Sequence, residues 1–373
     1  MEDRSDEMTT QTPAFRRILI IRLTAAGDVI RTLPALAVLR RNFPSARIAW
    51  VVEEGANELL SDQPELDEVI VFPRAVLEKA LFAGRWLTLA REALGFVRRL
   101  RGNRFDLVMD FHGILKSGFM SRLSGAPVRV GFERGFCREG NPWFNNRRVS
   151  LPRKRISRFE RNLKLLARIC LDSRDIPFRL HVSTEDLHDA REFFENHGLV
   201  GSYPVVALHP GTSEKTRYKR WFPEGYAEVG DHLVREMGAS IIVTWGPGER
   251  AIAERVRSLM RSPCVLSCPT RSLKALAAIY QHCHLYIGGD TGPMHLASLV
   301  GIPVVGIYGP TDAVVNAPYN GTPSIQVRKD LPCSPCRDRN CPRVDCLKAI
   351  SHQEVAEAAR DLLERVESIN GRR

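Results

Sequence analysis

Three groups of residues in this chain carry chemistry by their type and spacing. The first is Gly288-Gly289-Asp290-Thr291-Gly292-Pro293, with His295 one turn further on. A short apolar strand over 285–287 runs into it, Thr291 stands at a helix N-cap position, and Pro293 lies just inside the first turn. Bare N–H groups at a helix start, with a glycine among them, make a site for an anion, so a phosphate-bearing ligand is expected there. The second is Asp28, directly after Gly27 at the end of the apolar run 17–23. A carboxylate there is either a general base for an attacking hydroxyl or a helix-start acid serving the macrodipole. The third is Cys333-x2-Cys336-x4-Cys341-x4-Cys346. This spacing suggests a thiolate metal site, most simply structural zinc. Its later gaps are short for two opposed knuckles and it holds no histidine, so reduced cysteines or a disulfide are the alternatives.

The elements that must position these groups alternate. Strands are expected over 17–23, 48–52, 68–72 and 106–110, with a basic amphipathic helix over 86–101. The pattern dissolves over 129–151 among Gly, Pro, Asn and Arg, which reads as an irregular functional segment. A basic helix over 157–169 and a connection containing a helix over 185–197 follow. A second series then begins: a strand over 205–208 ending in His209-Pro210-Gly211-Thr212, a strand over 240–244 ending in Trp245-Gly246-Pro247-Gly248-Glu249, and strands over 264–266, 285–287 and 304–308. Helices are expected over 223–237, 250–260, 273–281 and from Thr291 to Gly301, with a last amphipathic helix over 352–367. This is a doubly wound α/β pattern written twice. The expected domains are a tail over 1–15, an acceptor-binding Rossmann-like domain over 16–180, a connection over 181–203, a donor-binding Rossmann-like domain over 204–350, and a C-terminal helix over 351–373. Ligands of such sheets sit at strand carboxyl ends, which places the site in a cleft between the two domains.

Composition narrows the class. A chain of 373 residues with 44% hydrophobic and 26% charged residues is an ordinary globular protein of two domains. No apolar run approaches the roughly 20 residues that span a bilayer, and the polar, acidic N-terminus is not a signal peptide, so the cytoplasm is expected. A net charge of +11 calls for an anionic partner or surface. Nine cysteines, an odd number, argue against a disulfide scaffold. There is no G-x-G-x-x-G after the first strand and no P-loop, H-E-x-x-H or G-x-S-x-G, which disfavours dehydrogenases, P-loop NTPases, zincins and serine hydrolases.

Taken together, RILIIRLTAAGDVIRTLPAL, IAWVVEEG, DLVMDFHGILKS, VALHPGT followed by YKRWFP, TWGPGE and GGDTGPMHLASLVGIPVVGIYGPTD resemble, in this order, glycosyltransferase family 9, the bacterial heptosyltransferases. VVEEG and DFHGILKS look most like the heptosyltransferase I branch. The resemblance implies a GT-B fold and metal-independent, inverting transfer of heptose from ADP-heptose to the Kdo-lipid A core of lipopolysaccharide. The work would be done at the cytoplasmic face of the inner membrane. It gives Asp28 the role of base and Lys219, before Trp221, that of neutralising the departing diphosphate. One extra residue between Trp221 and Pro223, and basic neighbours Lys215, Arg217 and Arg220, leave open which cation reaches the phosphate.

Thr212, Ser213, Glu249, Asp290, Thr291, Gly292 and His295 are the further donor-site candidates that the resemblance supplies, with Asp290 on a sugar hydroxyl. The base would then come from one domain and the donor turn from the other. For the acceptor it offers His112, Lys116 and Ser117. The run from Arg147 to Arg168, including Arg148 and Arg155, carries nine basic residues against Glu160 alone and suits lipid A phosphates, Kdo carboxylates or an anionic inner-membrane surface. Another family member, such as heptosyltransferase II or one with a different sugar, is the nearest alternative. A GT-B-like epimerase would have no use for the basic run. A nucleic-acid-binding protein is disfavoured because the basic residues are not interleaved with stacking aromatics.

Overall fold

In the computed structural model of the chain, residues 15–153, 155–169 and 178–370 are described. Most of the expected tail, Lys154 of the basic run and the stretch 170–177 lie outside them. The chain divides into two compact units. The first comprises Met1–Ala25, Thr32–Lys154 and Glu160–Ile176; the second comprises Ala26–Arg31, Arg155–Phe159 and Pro177–Arg373.

The first unit is built on six parallel strands: β1 (Arg17–Ile21), β2 (Arg47–Glu53), β3 (Glu68–Phe72), β4 (Leu107–Asp110), β5 (Val128–Phe132) and β6 (Arg147–Val149), in the order β3-β2-β1-β4-β5-β6. Ile18 to Ile21 of β1 have no exposure at all, as continuous apolar runs do in a sheet covered on both faces. After β1 the chain forms α1 (Ala26–Ile30), which groups with the second unit. The remaining helices of the first unit are α2 (Leu33–Asn42), α3 (Arg74–Phe82), α4 (Trp86–Gly102) and α5 (Leu115–Leu123), and α6 (Arg158–Leu166) follows β6. The segment expected to be irregular thus holds β5 and β6. Only Val149 of β6 is buried, because β6 is an edge strand and lacks the continuous apolar run that marks a strand covered on both faces.

The turn from β4 into α5 is organised by Asp110, which has no exposure. Its Oδ1 accepts the backbone N–H groups of His112 and Gly113, both at 3.1 Å. Its Oδ2 meets the Ser117 hydroxyl at 3.0 Å and the side-chain amides of Asn141 (2.6 Å) and Asn145 (3.3 Å). Burial pushes the Asp110 carboxyl above its ordinary value, against the pull of these donors.

The second unit repeats the design. Its strands are β7 (Val205–His209), β8 (Ser240–Val243), β9 (Val265–Leu266), β10 (Leu285–Gly289), β11 (Val304–Tyr308) and β12 (Ser324–Arg328), all parallel, in the order β12-β11-β10-β7-β8-β9. Around them lie α7 (Thr184–Asn196), α8 (Pro223–Met237), α9 (Arg250–Leu259), α10 (Leu273–Gln281), α11 (Gly292–Val300), α12 (Asp345–Lys348) and α13 (His352–Asn370). Helix α7 packs on α10, and α13 packs on α8 and β12.

In each sheet the strand order reverses once, between β1 and β4 and between β7 and β10. The carboxyl ends at such a reversal leave a crevice for a ligand, and β10 ends one residue before Asp290. No helix among the described residues is long and apolar enough to cross a membrane.

Asp110→Ala removes the carboxylate that five donors share and leaves the His112 and Gly113 N–H groups without that acceptor. It should cost at least about 3 kcal/mol in chemical denaturation, since each orphaned buried group costs of order 1–3 kcal/mol. A loss below about 1 kcal/mol would remove Asp110 as the organiser of this turn.

Candidate active site

The site begins with the way β10 ends. Tyr286 is fully buried and its ring lies over Gly288, where a β-carbon would stand 2.4 Å from the phenol oxygen, so only glycine fits. The chain then turns through Asp290 and Thr291 into α11. Thr291 occupies the N-cap position with extended backbone, but its hydroxyl bonds back to the Gly289 carbonyl at 3.3 Å instead of capping the helix. The first N–H groups of α11 are therefore left without a side-chain cap, and a β-carbon on Gly292 would meet nothing within 4 Å. An uncapped, unobstructed helix start is the anion site expected from the sequence.

Asp290 is 2% exposed. Lys219 Nζ donates to its Oδ2 at 3.1 Å and to its carbonyl at 3.3 Å. Arg31 Nη2 stands 3.8 Å from Oδ1, and His295 Nε2 stands 3.6 Å from the same atom. Burial alone would raise this carboxyl; the cations Lys219 and Arg31 outweigh it and hold Asp290 well below the usual carboxylate range. Arg31 Nη2 also contacts His295 Nε2 directly. A guanidinium can only donate, so this ring nitrogen accepts and the imidazole proton sits on Nδ1. His295 is fully buried; burial first, and Arg31 second, push it down to about 4, so it is neutral at pH 7.

Arg31 connects this cluster to Asp28, whose Oδ1 accepts from Arg31 Nη1 at 2.9 Å and from Arg158 Nη1 at 3.3 Å. Asp28 lies in the first turn of α1 and Arg31 three positions later, so the pair spans one helical turn. The base and the donor turn were expected to come from separate domains. Instead α1 packs against α11 within the second unit, and a β-carbon on Gly27 would stand 3.6 Å from Gly292 Cα. Asp28, Arg31, Arg158, Lys219, Asp290 and His295 thus form one connected group with three cations for two carboxylates.

The four basic residues near Trp221 separate clearly. Lys219 enters the cluster, Arg220 donates to the Thr212 carbonyl at 2.7 Å, and Arg217 is exposed beside Glu214 at 3.6 Å. Lys215 is exposed. Trp221, 2% exposed and edge-on to Tyr226 at 5.0 Å, pins the segment that carries Lys219. Thr212 is buried, and Ser213 bonds the Thr216 hydroxyl at 2.9 Å. Glu249 lies across Gly211, where a β-carbon would come within 2.2 Å of its Oε2. That oxygen accepts from Gly246 N at 2.9 Å and faces His209 Nε2 at 3.4 Å, while His209 Nδ1 meets the Thr244 hydroxyl at 3.0 Å. Burial pushes Glu249 up, but His209 and the Gly246 N–H outweigh it and leave the carboxyl below its ordinary value.

In the first unit, Leu23 N donates to His112 Nδ1 at 3.1 Å, which fixes that ring at the β1/β4 reversal. Lys116 pairs with Glu53, which also takes Arg74 at 3.1 Å. Ser117 has no exposure: its hydroxyl serves Asp110 and accepts from Ile114 N, so it shapes the turn and is closed to a ligand. The basic run is not one uniform face. Arg155 pairs with Asp312 at 2.7 Å, Arg158 holds Asp28, and Arg161 stacks over Phe132 at 3.9 Å. Arg147 and Arg148 remain exposed on β6.

The four clustered cysteines come together in space. Cys333, Cys336, Cys341 and Cys346 line one cavity of about 170 Å³ with Tyr218 and Pro310. All four are free thiols, so the disulfide alternative is not realised. Among the described residues no three His, Cys, Asp or Glu side chains converge as metal ligands. Burial and the neighbouring thiols push the Cys346 thiol upward.

Sequence reasoning missed Arg31 and the role of Arg158. The signal for Arg31 was its place three residues after Asp28 at a helix start; Arg158 was hidden in a run of like charges.

Residues 93–346 match the model of glycosyltransferase family 9 (heptosyltransferase). The chain is similar to lipopolysaccharide heptosyltransferase 1 of Pseudomonas aeruginosa, 31% identical over 327 residues that cover 87% of each protein. A glycosyl transferase family 9 structure from Veillonella parvula superposes with a TM-score of 0.75 at 24% identity, covering 95% of this chain and 99% of its own. Escherichia coli heptosyltransferase WaaC, solved with ADP, gives 0.70 at 24% identity, covering 93% and 99%. The two parallel-sheet units are those of a GT-B fold.

The buried neutral histidine makes a pH-dependent contribution of definite sign. Its folded value of about 4 lies below the ordinary 6.5, so between these pH values the unfolded chain binds a proton that the native chain does not. Stability should fall as pH is lowered through this window. Asp290, held low, loses its own contribution only below the ordinary 3.8. His282 and His284, also lowered by burial, act in the same direction as His295. The difference between the wild type and His295→Asn isolates the effect: the thermal midpoint should drop less from pH 6.5 to 4.5 in the variant. Equal drops would contradict the buried neutral assignment.

Proposed function

The chain belongs to glycosyltransferase family 9, and on that premise we propose that it transfers L-glycero-D-manno-heptose from ADP-heptose to the Kdo-lipid A inner core of lipopolysaccharide. The observation that carries the reading is the connected charge cluster at the start of α11, with Asp28 at one end and Lys219 at the other.

In this reading the Asp28 carboxylate takes the proton of the acceptor hydroxyl as its oxygen attacks the anomeric carbon. The new bond forms on the face opposite the leaving group, so the configuration inverts. The bond from the anomeric carbon to the diphosphate oxygen breaks, and ADP leaves with the electron pair. Arg31 and Arg158, both on Oδ1 of Asp28, fix the direction of the carboxylate. Lys219 and the N–H groups at the start of α11, from Thr291 and Gly292 onward, face the diphosphate. The charge that grows on it in the transition state meets cations already in place, which lowers the barrier. Asp290 repels phosphate and takes a sugar hydroxyl. Glu249, held beside Gly211, takes the ribose or sugar, and Thr212 and Ser213 lie on the phosphate side.

For the acceptor, His112, Lys116, Arg147, Arg148 and Arg155 meet phosphates and carboxylates of the lipid core, and the chain works at an anionic membrane surface. Fixed cations stand where a divalent metal would otherwise neutralise the diphosphate, so no metal is required.

Incubation with Kdo-lipid A and each of several nucleotide sugars should release nucleotide from ADP-heptose in an acceptor-dependent way. Release only from a UDP-sugar would overturn the donor, and transfer only to an already heptosylated core would move the chain to another branch of the family. Excess EDTA should leave the rate unchanged; a loss restored by magnesium would refute the metal-free reading. Asp28→Asn should lower turnover by about 10²–10⁴-fold, the usual worth of a general base, with donor affinity nearly intact. Near-normal turnover would return Asp28 to the role of a helix-start acid.

A further inference from the structure

The pair of helices α3 and α4 buries one side and leaves the other bare. Ala80, Phe96 and Leu100 are buried, as a helical pair packed on a sheet requires. At the turn that joins the helices, however, Phe82 is 88% exposed, Trp86 66% and Leu87 89%, with Leu81 at 47% beside them. Leu94, two turns along α4 from Leu87, extends the apolar stripe. Four large apolar side chains within seven residues are more than the scattered exposed hydrophobics of an ordinary surface.

The turn itself is well made. Ala83 N bonds Lys79 O at 3.1 Å, Arg85 N bonds Ala80 O at 2.8 Å, and Leu89 N bonds Arg85 O at 3.0 Å. Gly84 takes the left-handed backbone that ends α3. The apolar tip is thus held in a defined shape, presented by two helices whose inner faces are satisfied.

The cations nearest the tip are Lys79 and Arg85, both exposed and with no acid between Glu78 and Glu92. Arg91, also exposed, pairs with Glu92 at 3.1 Å. Apolar side chains at the end of a rigid hairpin, with a tryptophan at the boundary and cations behind it, match the layered chemistry of an anionic lipid surface. The acyl boundary receives Phe82 and Leu87, the headgroup level suits the indole of Trp86, and the lipid phosphates meet the guanidinium groups.

We propose that the α3–α4 tip is a membrane-docking element that inserts Leu81, Phe82, Trp86 and Leu87 into the interfacial layer of an anionic bilayer. This rests on the glycosyltransferase reading only in that a lipid acceptor gives the enzyme reason to sit on a membrane; the binding itself needs neither donor nor acceptor.

The test uses the full chain and vesicles of phosphatidylethanolamine and phosphatidylglycerol, with phosphatidylcholine vesicles as the neutral control. The wild type should co-sediment with the anionic vesicles about tenfold more strongly than with the neutral ones. Replacing Leu81, Phe82, Trp86 and Leu87 together by serine should reduce that binding by about tenfold or more. Nucleotide release from ADP-heptose with detergent-dispersed acceptor should stay within about twofold, since the tip lies outside the reacting groups. Bromine-labelled lipid should quench tryptophan fluorescence in the wild type and much less in Trp86→Phe. Unchanged vesicle binding by the serine variant would overturn the proposal. So would a concentration-dependent dimer that the serine variant abolishes, which would assign the tip to a second copy of the chain. Failure of nucleotide release with intact vesicle binding would count against the glycosyltransferase reading and leave the docking element standing.

Discussion

A carboxylate removed from water stays ionised only when cations stand close enough to replace the lost hydration, and much of the second unit is arranged around meeting that condition for Asp290. Lys219 meets one oxygen and Arg31 approaches the other. Each of these cations needs its own support. Trp221 and the segment behind it fix Lys219, and α1 is drawn against α11 so that Arg31 can reach across. His295 is neutral for the same reason: with Arg31 donating to its ring, a second positive charge in that space would be unfavourable. The anion site and the proposed base are therefore two ends of one electrostatic arrangement.

How much of this was legible in the sequence depended on whether a residue's role is local. Gly292, Thr291 and Asp290 announce themselves because a strand, a glycine turn and a helix start leave few other readings. Asp28 was legible as a carboxylate at a strand end, and Lys219 only through family resemblance. Arg31 was not legible. Its partners at 290 and 295 are brought to it by the packing of α1 on α11, which no local pattern encodes. The same limit misassigned the origin of the base: chain order attaches α1 to the first sheet, whereas its contacts attach it to the second unit. Spacing left three readings open at the four cysteines, which share a cavity as free thiols.

The fold was legible where strands are buried on both faces. β1, β2, β7, β10 and β11 stand out as apolar runs and were expected within a residue or two of their bounds. β6 and β12 were not. Each is an edge strand, with one buried residue in Arg147–Val149 and one in Ser324–Arg328, so the alternation that betrays a strand is nearly absent. α3 escaped for a related reason: its exposed Leu81 and Phe82 fill positions that an amphipathic pattern reserves for polar residues.

Those weak edges have a consequence of their own. A sheet margin offers unpaired N–H and C=O groups to any other extended chain, the geometry from which intermolecular β-aggregates grow. Here β9 is two residues long and β6 three, two of them exposed arginines. β3 opens with Glu68, which is engaged by both Arg47 and Arg99. Short length and charge leave an incoming strand little to pair with. Arg147 and Arg148 thereby guard against self-association in a crowded cell, a service that does not depend on whether they ever touch a substrate.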